Sequence, residues 1–166
     1  MRPEDLEYFS DFLKEFQDET DRGAALVGAA LLDKQLFDLL RSHFLDKKES
    51  VELLEGGSAP LGTFSARIKA SYCLGLISDL EHGELQLIRK VRNEFAHQTH
   101  GLIFQNEKVI SLCGNLRDRM PDAKEKGIER TTRAKFIDAV LFTSLALWYR
   151  PQHAAEFKAR QRQWPY

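Results

Sequence analysis

Arg92, Asn93 and His97 form the one compact group in this sequence suited to acid–base chemistry beside an anion. A histidine titrates near neutrality and can give or take a proton. An arginine offers a planar, permanently charged fork that fits a phosphate and steadies developing negative charge. The Asn93 amide can orient either partner. Spacing limits what the three can do together. Five residues along an ideal helix is a rotation of about 140° and a rise of roughly 7.5 Å. Arg92 and His97 therefore do not share a face of a straight helix, whereas Asn93 and His97, four apart, do. Convergence of Arg92 and His97 on one phosphate requires a frayed last turn or a second subunit, which a two-fold dimer would supply. The structural alternative gives Arg92 a carboxylate partner, makes Asn93 a C-terminal cap and lets His97 complement the helix dipole.

The element that must position these residues is residues 78–97, SDLEHGELQLIRKVRNEFAH. Ser78 suits a helix N-cap, and Asp79 and Glu81 suit the positive end of the dipole. Leu80, Leu87, Ile88, Val91 and Phe95 recur as one apolar stripe. Arg89, Lys90 and Arg92 load the last turns with the positive charge that a helix C-terminus prefers.

The chain has 166 residues, 43% apolar and 30% charged, which fits one folded domain with a sizeable core. Lys plus Arg (24) nearly balance Asp plus Glu (25), for a net charge of −1. A dedicated DNA binder shows a basic excess, because phosphate neutralisation dominates its affinity. Two cysteines, Cys73 and Cys113, make neither a disulfide framework nor a metal quartet and are expected as reduced core residues. His97 and His100 lack a third ligand at metal spacing, so neither metal nor cofactor is expected. The opening MRPEDLEYF has no signal-peptide core, and no apolar run is long enough to span a bilayer. A cytoplasmic protein with no membrane partner is the expectation.

Along the chain, Leu6, Phe9, Leu13 and Phe16 predict a first helix over 4–18, and a second follows over 24–44 with an almost wholly apolar first half. His43 beside its apolar face reads as structural. Residues 46–55 are mixed, and GGSAPLG at 56–62 marks an irregular loop. Thr63 caps a third helix facing inward through Phe64, Ile68 and Tyr72, stopped by Gly75. Asn106 starts a short helix through Val109, Ile110 and Leu112, and residues 120–127 read as a polar loop. Thr131 or Thr132 caps a last long helix with Phe136, Ile137, Val140, Leu141, Leu145 and Trp148 inward, interrupted by Pro151. The basic-polar remainder carries Phe157 and Trp164. The organisation expected is all-α: a single-domain bundle of about five main helices over 1–150, then a C-terminal extension over 151–166. Trp148, Tyr149, Trp164 and Tyr166 offer aromatic area for an interface. Arg22, Arg67 and Arg89 are candidate binding residues. Arg22 and Arg67 lie near glycine-rich turns, where each either anchors an anion or a partner's carboxylate, or braces the loop through Glu19, Asp21 or Glu55.

Two resemblances sharpen this reading. Arg92-Asn93 followed by His97 resembles the R-x4-6-H signature of the HEPN superfamily, small all-helical domains of which many are dimeric, metal-independent ribonucleases. That resemblance implies RNA as substrate, cleaved by its own 2′-hydroxyl, with Arg92, Asn93 and His97 catalytic. The run EGGSAPLGTFSARIKASYCLGLIS, residues 55–78, resembles the mannitol operon repressor (MltR/MtlR) family through APLG at 59–62, SARIK at 65–69 and YCLGLI at 72–77. ETDRGAALVGAALLD upstream and LQLIRKVRNEFAH downstream are compatible with it. This second resemblance implies an all-helical regulator that represses transcription through a protein partner and lacks a DNA-reading motif. A helix-turn-helix over 63–97 fails because its second helix would run about 19 residues and present Asp79, Glu81 and Glu84 to phosphates.

The reading that follows is a dimeric, all-α, MltR-like regulator acting by protein–protein contact with a partner the sequence does not identify. Direct DNA binding is not expected. The alternative is a HEPN-type ribonuclease working on RNA at a dimer interface.

Overall fold

The computed structural model describes residues 3–118 and 130–165. Every regular element among them is a helix: α1 (Pro3–Asp18), α2 (Asp21–His43), α3 (Lys48–Leu54), α4 (Phe64–Cys73), α5 (Asp79–His97), α6 (Glu107–Gly114), α7 (Thr132–Leu147) and α8 (Arg150–Glu156). The all-α expectation holds. The loop predicted over 120–127, the Leu6 side chain and Tyr166 lie outside what is described.

The helices form two compact units, Met1–Ala30 with Leu87–Leu141, and Leu31–Gln86 with Phe142–Tyr166. In the first, Phe16, Ala24, Ala25, Ile88, Val91, Phe95, Val109 and Phe136 are buried. Phe104 is the centre of a ring chain, 5.0 Å from Phe95 and 5.3 Å from Phe136. Helix α2 passes close to its neighbours at Gly28, where a Cβ would stand 3.0 Å from both Phe16 and Val140. Asp21, in the first turn of α2, accepts from the Phe104 backbone N–H at 2.9 Å and pairs with Arg133 at 2.9 Å. Arg133 also donates to the Gln17 and Glu19 carbonyls, so one guanidinium closes the α1–α2 turn against α7.

In the second unit Leu32, Leu36, Leu39, Leu40, Leu54, Ile68, Leu85 and Leu147 make the core. Gln35 reaches across it to donate to the Ser144 hydroxyl at 3.0 Å. The caps match the sequence. Thr63 Oγ1 accepts from Ala66 N–H to start α4. At its end, Leu76 N–H bonds Ser71 O and Gly75 N–H bonds Tyr72 O, with Gly75 at φ +69°. That is a Schellman stop, which needs a residue free to turn left-handed. Ser78 and Glu81 then cap α5 reciprocally, Ser78 N–H donating to Glu81 Oε2 at 2.8 Å and Glu81 N–H to Ser78 Oγ at 3.3 Å.

Several side chains depart from the sequence expectation. Helix α3 was not predicted. Tyr72 faces out while Ser71 is buried, Leu145 is exposed while Thr143, Ser144 and Leu147 face in, and Cys73 is exposed while Cys113 is buried. Along α7 the predicted Phe136, Ile137 and Val140 do face in, and the departure is confined to its second half, where an apolar run lets periodicity choose no single face.

Candidate functional site

Helix α5 stays regular through its last turn: Gln98 N–H still bonds Glu94 O at 3.3 Å. The frayed turn that would let Arg92 and His97 converge is therefore not present in the chain. Arg92 is half-buried, flanking the core stripe of Ile88, Val91 and Phe95, while His97 is exposed. Asn93 is half-buried and lies one turn before His97 on the outward side, as the spacing predicts. Among the described residues none of the three makes a side-chain hydrogen bond or ion pair. Among the described residues, neither the carboxylate partner of Arg92 nor the amide cap by Asn93 is formed.

Arg22 comes to the same helix end, where its guanidinium donates to the carbonyl of Gln98. A cation on the last carbonyls of a helix complements the negative end of the dipole, so this arginine is spent on holding α2 to α5. Arg67 is more heavily committed. It pairs with Asp33 at 2.8 Å, donates to Leu61 O at 3.0 Å and Leu54 O at 3.2 Å, and stacks 5.1 Å from the Phe37 ring. It braces the GGSAPLG loop through backbone carbonyls and Asp33, not through the acidic residues expected. Arg89 is half-buried and engaged.

The surface that sequence reasoning missed is the corner between α4 and α5. Tyr72 is 39% exposed, Leu74 43% and Leu80 60%, with Cys73 and Gly75 exposed between them. Leu80 continues the apolar stripe of α5, but its turn has no core to cover it. The corner is rigid. The Tyr72 ring stacks on His82 with centroids 4.3 Å apart, and its hydroxyl donates to Asp79 at 2.8 Å. That bond holds the Tyr72 phenol above its ordinary value of 10.0. Beside it, Arg150 grips both oxygens of Glu81 and donates to Leu76 O, tying α8 to the α4–α5 turn. The signal was present in the run YCLGLIS, where apolar residues cross a Gly stop that cannot bury them all. The carboxylates of α5's first turns are occupied by this arrangement: Asp79 by Tyr72 and Glu81 by Arg150, while Glu84 is buried.

Comparison with known proteins agrees with this architecture. Two curated mannitol operon repressors, from Escherichia coli K12 and from Escherichia coli O6:H1, are each 33% identical to the chain over 69 residues. The match takes in 42% of this chain and spans 35% of the length of those relatives. A chain in the X-ray structure of the MtlR–HPr complex from Escherichia coli superposes with a TM-score of 0.63 at 19% identity, over 84% of this chain and 98% of that one, which establishes a shared fold. The mannitol repressor (MtlR) family matches residues 10–146, most of the sequence, and the chain belongs to that family.

Proposed function

We propose that this chain is a repressor-type regulator that acts by binding other proteins and not by reading DNA, with an HPr-like protein as its partner. In this reading it works in the cytoplasm as a homodimer. The observation that carries it is the uncovered, braced apolar corner of Tyr72, Leu74 and Leu80. An apolar surface already held in place has less side-chain freedom to lose on docking, which suits a protein partner. The HPr complex of the structural relative names a partner class for that relative, and the reading carries it across to this chain. The first turns of α5 do not favour DNA reading, since they are acidic and tied down.

Titration calorimetry with Escherichia coli HPr tests the reading. Wild type should bind, and Leu80→Glu should weaken binding by about tenfold or more with little change in melting temperature, because Leu80 is 60% exposed. Absence of binding by wild type, or equal binding by Leu80→Glu, would reject the corner as an HPr site. Binding to duplex DNA at physiological salt would reject the protein-contact reading altogether.

A further inference from the structure

Residues 157–165, after α8, form an arm with no regular structure whose root is fixed and whose outer part is free. The root has two ties: Lys158 Nζ meets Asp46 Oδ2 at 2.5 Å, and Ala159 N–H donates to His43 O, the end of α2, at 2.8 Å. Beyond them Arg160 and Arg162 are exposed and, among the described residues, unpaired. Trp164 is 70% exposed, and Phe157 at the root is 75% exposed. Trp and Arg are the residues that dominate protein interfaces.

The order of the residues adds a geometry. Arg160, Arg162 and Trp164 alternate with Gln161, Gln163 and Pro165. In an extended chain successive side chains point to opposite faces, so both arginines and the tryptophan share one face. Pro165 pushes Trp164 toward an extended backbone, favouring that state before any partner arrives. Charge identifies the surface it would meet. The arm carries Lys158, Arg160 and Arg162 and no acidic side chain, in a chain whose overall charge is −1. Two free arginines are few for a nucleic acid ligand, where specific complexes rest on about 6–10 phosphate contacts. They are ample for a protein surface, where one bidentate arginine–carboxylate pair beside an aromatic anchor makes a hot spot. The family match ends at residue 146, so the arm lies outside the matched residues.

We propose that this arm is a docking peptide that lies extended on a carboxylate-bearing face of a partner protein, with Arg160 and Arg162 on the carboxylates and Trp164 in an apolar pocket next to them along the same face. The inference rests on the reading that the chain works by protein contact, and it does not require that HPr be the partner.

The test uses the full chain carrying Trp148→Phe, which leaves Trp164 as its one tryptophan, and a random glutamate–tyrosine copolymer as probe. Trp164 emission should shift to the blue on titration at low salt, the shift should be screened by added salt, and the apparent affinity should fall about tenfold or more in Arg160→Glu/Arg162→Glu. No shift, or one that the charge reversals leave unchanged, overturns the proposal. A stronger response to polyuridylate than to the copolymer overturns it in favour of a nucleic acid ligand. The HPr calorimetry, repeated on the same variants, separates the two ideas: failure of wild type to bind HPr rejects HPr as partner, while the copolymer titration still decides the arm.

Discussion

Arg150 and Glu81 meet fork to fork, with the two guanidinium nitrogens 2.7 and 2.6 Å from the two carboxylate oxygens. The same carboxylate accepts from Ser78, so one side chain caps α5 and anchors α8. Burial alone would raise the Glu81 carboxyl, but the Arg150 and Ser78 hydrogen bonds outweigh it and hold the group below its ordinary value of 4.5. A carboxyl depressed in the folded state contributes stability that is complete above its unfolded pKa and is lost as pH falls through the lower folded value. Glu81→Gln is therefore expected to cost about 1–3 kcal/mol at neutral pH. The deficit should shrink as pH drops below about 4.5. Urea midpoints of both proteins at neutral and acid pH measure this, and a deficit independent of pH would refute the linkage.

Gly28 is set tightly against core side chains of the first unit. An added Cβ would lie 3.0 Å from the Phe16 ring and from Val140, and Phe16 is fully buried with no room to retreat. Gly28→Ala gains helix propensity of up to about 1 kcal/mol yet should still destabilise, because overpacking a close-packed core costs about 1–3 kcal/mol. A raised melting temperature would show that the ring moves more easily than its burial implies.

Arg67 holds the GGSAPLG loop with a geometry that only a guanidinium has. Nε, Nη1 and Nη2 each serve a different acceptor: Leu61 O, Asp33 and Leu54 O. Arg67→Lys keeps the charge and loses the fork, so the part-buried Leu61 and Leu54 carbonyls lose their donors. The expected cost is about 1–3 kcal/mol with faster amide exchange in α3 and the loop. Unchanged exchange there would mean that the loop is held by other contacts.

The two thiols should differ sharply in reactivity. Cys73 is exposed on the α4–α5 corner, and Cys113 is buried in the first unit, where burial pushes its thiol up to about 12. Because the thiolate is the reactive species, one thiol per chain should react with a disulfide reagent in mildly alkaline buffer and the second only on unfolding. Equal rates would place Cys113 nearer solvent than the fold allows.

The features legible in the sequence were those decided within a few residues. Thr63, Gly75, Ser78, Asn106 and Thr131 each mark a helix boundary through a hydrogen bond to a near neighbour, and each does so in the structure. Features that depend on where the core stops were not legible. The α5 stripe runs on to Leu80, and Tyr72 continues the face of α4, but periodicity does not report that both overhang the core. Helix α3 escaped notice because it is seven residues long and its N-cap, Lys47, makes no side-chain cap bond. The identity of Arg67 as a loop brace was half legible, because its acceptors are carbonyls that no pattern of side chains announces.

Arg92 and His97 offer the last prediction. Their separation on a regular helix leaves one half-buried on the core side and the other exposed on the outward side. A single chain cannot aim both at one phosphate, so the monomer is expected to show no metal-independent RNA cleavage that depends on His97. His97→Ala should leave thermal stability within about 0.5 kcal/mol, since the ring bonds nothing among the described residues. Arg92→Ala removes half-buried methylene area as well as charge and should cost more, about 1 kcal/mol. The decisive assay incubates a mixed RNA pool with wild type and each variant in EDTA. Cleavage that yields cyclic-phosphate ends, is abolished by either single substitution and returns when the two variants are mixed would require a composite site in which each subunit supplies one residue. Absence of cleavage in all three proteins is the expected result, and it leaves the exposed α5 end without a catalytic role.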